Sequence, residues 1–194
     1  MIKVAVTGVV GSGKSTVMKL ISQHYTVFDV DKINAELLEE KYVIQKLVYT
    51  FSNIIIKEGI LDKKALSTLI YSDELKRKEL ESIMHPLIKD ELFNRISSLQ
   101  DKVVFVEVPL LFEVNWDKYF DFSVLVYTEV DTIVSRLKEG RNWDIEFTKK
   151  VLANQLPLSY KVSKSDYVIY NDYGNDIVSE VNKMIGWIMG QVNE

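Results

Sequence analysis

The chain has 194 residues, 47% of them apolar and 27% charged, and it contains no cysteine. That is enough apolar material for a core, which excludes a wholly disordered chain. The lack of cysteine excludes a disulfide scaffold, a thiolate nucleophile and Cys-ligated zinc or iron–sulfur centres. With 24 basic and 28 acidic side chains the formal charge is −4, so no global electrostatic pull toward nucleic acid or an anionic membrane exists.

Residues 2–7 are short, β-branched and nearly all apolar, the pattern of a buried strand. A glycine-rich turn follows at 8–13, and Val17, Leu20 and Ile21 then recur at helical spacing. Residues 25–28 read as a second strand that ends in Asp29-Val30-Asp31. From about 32 to 99 the pattern is mostly helical, with 54–60 open between strand and helix. Asp62 and Asp73 are expected N-caps. The His85-Pro86 step is expected to interrupt the helix between 74 and 99, because the residue before a proline is pushed out of the α region. Tyr42, Tyr49 and Phe51 lie at near-helical spacing and read as core of this segment.

Two further strands follow at 103–108 and 122–127, the first stopped by Pro109. A helix over 131–138 is expected to stop at Gly140. Another helix spans 144–155, started by Asp144, then a short strand at 167–170 and an amphipathic helix at 175–190. Strands alternating with helices imply an α/β class with a mostly parallel sheet covered on both faces. The long helical stretch after the second strand reads as an inserted lobe, so the expected layout is one domain with insertions. No run approaches the roughly 20 apolar residues of a membrane span, and the opening stretch is too short for a signal peptide. A soluble, cytoplasmic protein with no membrane or nucleic-acid partner is expected.

Residues 8–15, Gly8-Val9-Val10-Gly11-Ser12-Gly13-Lys14-Ser15, fit the P-loop pattern G-x-x-x-x-G-K-[ST]. The glycines let the backbone curl so that successive N–H groups face a phosphate, and the helix start adds its positive dipole end. Lys14 would reach the β- and γ-phosphates, and the Ser15 hydroxyl would ligate Mg²⁺. Gly11, Ser12, Gly13, Lys14, Ser15 and Thr16 are thus the expected ATP-binding residues. The motif follows a strand and precedes a helix, as its mechanism requires.

A small P-loop kinase also needs an acid for the acceptor hydroxyl, a carboxylate near Mg²⁺ and cations over the triphosphate. Asp29 and Asp31 end the second strand, and residues two apart on extended chain share a face, so one site could see both. Either could accept a proton. Glu107, at the end of the 103–107 run, is the expected metal partner beside Ser15. Arg136 and Arg141 lie on either side of Gly140 and suit a cap on the triphosphate. A nucleoside or nucleotide kinase of the same fold, and a non-catalytic nucleotide-binding protein, are the competing readings.

The P-loop, Asp29-Val30-Asp31, Arg77-x-x-Leu80-x-x-Ile83-x-His85-Pro86 and Pro109-Leu110-Leu111-Phe112-Glu113 together resemble the dephospho-coenzyme A kinase family. So does the tail, Gln155 and then Ser165-Asp166-Tyr167-Val168-Ile169 with Asn171. The resemblance implies a P-loop nucleoside-triphosphate-hydrolase-like three-layer fold. Its core would comprise 1–30, 101–136 and 158–194, with a helical substrate lobe at about 31–100 and a helical lid at about 137–157. It implies ATP-dependent phosphorylation of the ribose 3′-hydroxyl of dephospho-coenzyme A, with Mg²⁺, by a monomer or weak homo-oligomer. Asp31 would be the catalytic base or the residue that orients the hydroxyl, and Asp29 would support it or the metal. Arg77 and His85 would lie near the acceptor, Arg141 would be the lid arginine acting with Lys14, and Asn171 would lie near the adenine. The chain departs from the family pattern at Glu107, where aspartate is usual, and at Val151, often an arginine. Lys149 or Lys150 would then stand in for that cation.

Overall fold

The computed structural model describes residues 1–192. Its first compact unit is Met1–Asp29 with the chain from Gln100 onward, and its second is Val30–Leu99. Five β-branched runs carry the first unit: β1 (Ile2–Thr7), β2 (Thr26–Asp29), β5 (Val103–Glu107), β6 (Phe122–Tyr127) and β7 (Tyr167–Tyr170). The intervening strands β3 (Ile56–Lys57) and β4 (Ile60–Leu61) form a separate antiparallel hairpin in the second unit. The five-stranded sheet has the order β2-β5-β1-β6-β7, and every pairing in it is parallel.

Parallel strands run with both faces buried, which is why they read as continuous apolar runs. Val4, Val6, Phe105, Val124, Val126 and Ile169 point to one face. There they meet Val17, Met18 and Ile21 of α1 (Lys14–Ile21) and Val181, Met184 and Ile188 of α9 (Ile177–Val192). The alternate residues Ala5, Val104, Val106 and Leu125 are fully buried as well. Of the remaining helices, α6 (Val130–Arg141), α7 (Ile145–Ala153) and α8 (Leu158–Lys164), the last packs on β6. A small satellite core of Val9, Ile133 and Leu137, bordered by Val10, Trp143, Leu152 and Leu158, seats these helices beside the turn after β1. The start of β7 is pinned to β6: the Ser123 amide and hydroxyl donate to Asp166 Oδ2 at 2.8 and 2.7 Å.

The second unit holds α2 (Val30–Leu37), α3 (Lys41–Phe51), α4 (Lys63–Ser72) and α5 (Glu74–Ser97). Helix α5 is its spine and touches the other three. It buries Met84, Ile88, Leu92 and Ile96, one residue per turn. Asp62 accepts from the Lys64 and Ala65 amides and Asp73 from those of Leu75 and Lys76, as their capping role requires. The 54–60 stretch resolves into the end of a 3₁₀ turn and the β3–β4 hairpin, whose turn residues Glu58 and Gly59 are both left-handed.

Several local expectations need correction. Pro86 does not interrupt its helix; α5 is continuous from Glu74 to Ser97. Pro86 can give no N–H to the Ser82 carbonyl, but both residues are exposed, so water can take that carbonyl. Gly140 does not stop α6 either. The helix runs to Arg141, and Asn142 supplies the left-handed residue, with φ 54°. Helix α8 has no counterpart in the sequence reading. Of the three aromatics assigned to the lobe core only Phe51 is buried; Tyr42 and Tyr49 are exposed. Among the described residues no helix is long and apolar enough to cross a membrane.

The proline costs α5 one backbone hydrogen bond and gives nothing to the buried face. Pro86→Ala is therefore expected to stabilise the chain by about 1–3 kcal/mol. An upward shift of the urea midpoint would show it; an unchanged or lower midpoint would mean the helix relies on the proline.

Candidate active site

The turn between β1 and α1 wraps back on itself through Ser12 N–H, which donates to Val9 O at 3.2 Å, and Thr16 N–H, which donates to Gly13 O at 3.0 Å. Two of its glycines are required by space. A Cβ on Gly8 would lie 2.7 Å from both Val126 O and Ser12 Oγ. Gly13 has φ 89°, and a Cβ there would collide with the Asn171 amide nitrogen. No side chain caps the start of α1. Ser15 and Thr16, in its first turn, are exposed, and Lys14 Nζ lies over the turn, donating to Gly8 O at 2.7 Å and Val9 O at 3.1 Å. Backbone donors at a helix start, a lysine above them and a hydroxyl beside them are what a polyphosphate needs.

The turn is held from the β6–β7 side. Asn171 Nδ2 donates to Ser12 O at 2.8 Å, and the buried Thr128 hydroxyl lies 3.0 Å from the same oxygen. Asn171 O in turn accepts from Arg136 Nη2 at 2.8 Å, and the Arg136 guanidinium lies 5.4 Å from the Tyr173 ring centre. Arg136 and Asn171 are thus brought together with the P-loop. Arg141, the last residue of α6, is exposed, with its guanidinium 5.4 Å from the Trp143 ring. Lys149 and Lys150 are exposed on α7.

At the carboxyl ends of the strands, Asp29 of β2 is the register partner of Glu107 of β5, which also pairs with Val6 of β1. The expectation that Asp29 and Asp31 share a strand face does not hold. The strand ends at Asp29, α2 starts at Val30, and Asp31 is an exposed residue of the first helical turn. A carboxylate there suits the helix dipole as well as it suits a substrate. Among the described residues no cluster of three or more His, Asp or Glu side chains could hold a metal alone. One hydroxyl and one or two carboxylates at a phosphate site fit Mg²⁺, which is bound largely through phosphates and water. Ser15, Glu107 and Asp29 meet that description.

In the second unit, Arg77, Glu81 and His85 form one row along α5. The Arg77 guanidinium lies 3.9 Å from both Glu74 and Glu81. Burial pushes the His85 imidazole below its ordinary range, against the opposing pull of Glu81.

The dephospho-CoA kinase family model matches residues 2–176. This chain belongs to the dephospho-CoA kinase family. A Fusobacterium nucleatum dephospho-CoA kinase is 32% identical over 171 residues, covering 87% of this chain and 89% of that one. One from Helicobacter pylori is 33% identical over 187 residues, covering 94% and 93%. Among solved structures, the dephospho-CoA kinase from Campylobacter jejuni superposes with a TM-score of 0.72 at 28% identity, covering 96% of each chain. The protein TT1252 from Thermus thermophilus reaches 0.84 at 28% identity, covering 98% of this chain and 97% of that one. A shikimate kinase from Bacteroides thetaiotaomicron, 13% identical with a TM-score of 0.54 over 97% of this chain and 98% of that one, shares the fold.

Three contributors to the site are not evident from the sequence alone. Thr128 carries no motif, yet its buried hydroxyl reaches both Ser12 O and Asn171 O. Gln155 was noted only as part of the tail; its Oε1 accepts from the Val10 amide at 3.4 Å. Lys161 went unnoticed. It is fully buried and lies 2.6 Å from Glu113. A lysine on a surface-like pattern gives no signal until its partner is known.

His85 offers a pH test. Its imidazole is depressed in the folded chain, so the unfolded chain binds a proton first as pH falls. The stability contribution is complete above about pH 6.5 and is lost as pH falls through the lower folded value. Stability should therefore decline on acidification below about pH 6.5, and His85→Gln should flatten that part of the profile. Equilibrium denaturation at a series of pH values checks this; equal slopes in the two proteins would contradict it.

Proposed function

We propose that the chain transfers the γ-phosphoryl group of ATP to the ribose 3′-hydroxyl of dephospho-coenzyme A, giving coenzyme A and ADP. The observation that carries this reading is a complete P-loop, tied in place from β6 and β7, on a chain of the dephospho-CoA kinase family. The backbone N–H groups of Gly11, Ser12, Gly13, Lys14, Ser15 and Thr16 cradle the phosphates. Lys14 gives up its two carbonyl contacts for the β- and γ-oxygens. Ser15 and Glu107 would hold Mg²⁺, which would supply positive charge against the β- and γ-phosphates.

The acceptor oxygen bonds to the γ-phosphorus as the bond from phosphorus to the β–γ bridging oxygen breaks, and ADP leaves with that electron pair. Asp31 takes the hydroxyl proton, and Asp29 keeps it oriented. Support for Asp31 comes from its position at the head of the helix that leaves the β2 end. Arg141 answers charge developing on the transferred group, a contribution worth 10³–10⁵ in rate for such arginines. Arg136 and Asn171 shape the nucleotide side, and Arg77 and His85 contact the acceptor. The protein works in the cytoplasm as a monomer or weak homo-oligomer.

Product mass spectrometry with ATP, Mg²⁺ and separate acceptors (dephospho-coenzyme A, adenosine and nucleoside monophosphates) tests the reaction. A gain of one phosphoryl group on dephospho-coenzyme A alone is expected. Transfer only to another acceptor would reassign the substrate lobe, and no transfer with ATP still bound would make the protein a binder. Asp31→Asn should lower kcat by at least ~10² with little change in ATP affinity; wild-type turnover would remove Asp31 from that role. Lys14→Ala should lower transfer far more than it lowers the melting temperature, because the lysine is proposed to act on the β- and γ-phosphates, while its Nζ bonds the Gly8 and Val9 carbonyls within the turn itself.

A further inference from the structure

The segment between α7 and α8 reaches the P-loop through Gln155, whose Oε1 accepts from the Val10 amide at 3.4 Å. The next residue is clamped. Leu156 N–H donates to Glu113 Oε1 at 3.0 Å. The same oxygen lies 2.6 Å from Lys161 Nζ. Lys161 has no exposed surface, and the Glu113 side chain is only 16% exposed. Lys161 stands one turn into α8, its amide donating to Pro157 O at 3.1 Å. Glu113 stands on the turn after β5, fixed by the buried Leu111 and Trp116, whose amide donates to Leu111 O at 2.9 Å. A carboxylate on the turn after β5 thus holds the linker at Leu156 and the helix that follows it at Lys161.

We propose that Glu113 and Lys161 are positioning residues for phosphoryl transfer: their buried ion pair fixes the α7–α8 linker so that Gln155 meets the P-loop at Val10. This inference rests on the kinase reading above. Two buried charges are a costly way to secure a linker; apolar side chains of similar volume would serve stability as well or better. The arrangement makes sense if the object is a defined position. Glu113 Oε1 serves both partners, accepting from Leu156 N–H at 3.0 Å and lying 2.6 Å from Lys161 Nζ, so one oxygen ties the linker backbone to the ion pair. Lys161 therefore acts through Glu113, and Glu113 acts through the linker backbone. Neither touches a reacting atom. A small misplacement of a supporting element can nevertheless cost roughly 10²-fold in rate.

The test compares two double variants, since removing one partner alone strands a buried charge. Glu113→Leu with Lys161→Met removes the pair and the Leu156 acceptor. Glu113→Gln with Lys161→Met removes both charges but keeps an oxygen for Leu156 N–H. The first should fold with an unchanged or higher melting temperature, lose roughly 10- to 100-fold in kcat and keep its KM for dephospho-coenzyme A. It should also expose the Leu156 amide to faster hydrogen exchange. The second should recover most of the rate and the protection. Adding Gln155→Ala to the Leu/Met variant should cause little further loss, because both act on one path. A folded Leu/Met variant with wild-type kcat would overturn the proposal, as would full additivity with Gln155→Ala. Wild-type turnover is measured first; if dephospho-coenzyme A is not phosphorylated, the kinase reading fails on its own. The Leu156 exchange rate and the affinity for ATP then decide the linker, and wild-type values of both in the Leu/Met variant would sink it.

Discussion

A phosphate-binding turn has to aim several backbone N–H groups at one point, and no regular hydrogen-bond ladder does this for it. Here the constraint falls on one carbonyl. Ser12 O is taken by Asn171 and Thr128, which sets the peptide plane that also carries the Gly13 N–H. The absence of a Cβ at Gly13 follows directly, since that atom would displace the Asn171 amide. So does the need for an exact β6–β7 pairing, because Thr128 and Asn171 immediately follow those strands. Asp166 secures that register from the far end through the Ser123 amide and hydroxyl. Residues of the tail segment that marks the family thus act first as carpentry for the loop.

Charge is handled locally. The chain is net acidic at −4, yet the ligand it is built for is a polyanion. The donors that matter are dipolar backbone groups and a few cations, which act within a Debye length of about 8–10 Å, so the distant acidic surface is of little consequence. The carboxylates of Asp29 and Glu107 are different, since they end neighbouring strands beside the loop. Two carboxylates next to phosphate repel it unless a cation intervenes. Their presence is a physical reason to expect a metal there, independent of the motif that names Ser15.

What the sequence made legible was what is local. The P-loop, the parallel strands and the caps at Asp62, Asp73 and Asp144 each depend on a few consecutive residues, and each is found where the pattern puts it. Pro86 was misread because a proline's cost depends on whether the carbonyl it orphans can reach water, and exposure is a tertiary property. Gly140 was misread because Asn142 competes for the same left-handed position two residues on. For Asn171 the resemblance implies only a place near the adenine; that its side-chain N–H₂ donates to Ser12 O is visible only in the folded chain. Lys161 could not be read at all, because its meaning lies in Glu113, far away along the chain and adjacent only after folding.

The two arginines of α6 divide their work by how firmly each is held. Arg136 donates to Asn171 O at 2.8 Å and covers the Tyr173 ring, so moving it would loosen the contact network that fixes Ser12. Arg141 rests on Trp143 at the exposed end of the helix. A cation–π contact at such a site is worth about 0.5–1 kcal/mol, which a single charge-assisted hydrogen bond to phosphate exceeds. Arg136 therefore suits a fixed role in the ground state. Arg141 suits a contact made only when charge develops, and an interaction stronger in the transition state than before it is the kind that raises kcat. Val151 carries no charge, so in the proposed reaction that task would fall to Arg141 and the exposed Lys149 and Lys150. Lysine is a point charge on a flexible stem and lacks the bidentate fork, so Arg141 is the residue of this region whose geometry matches a phosphoryl group.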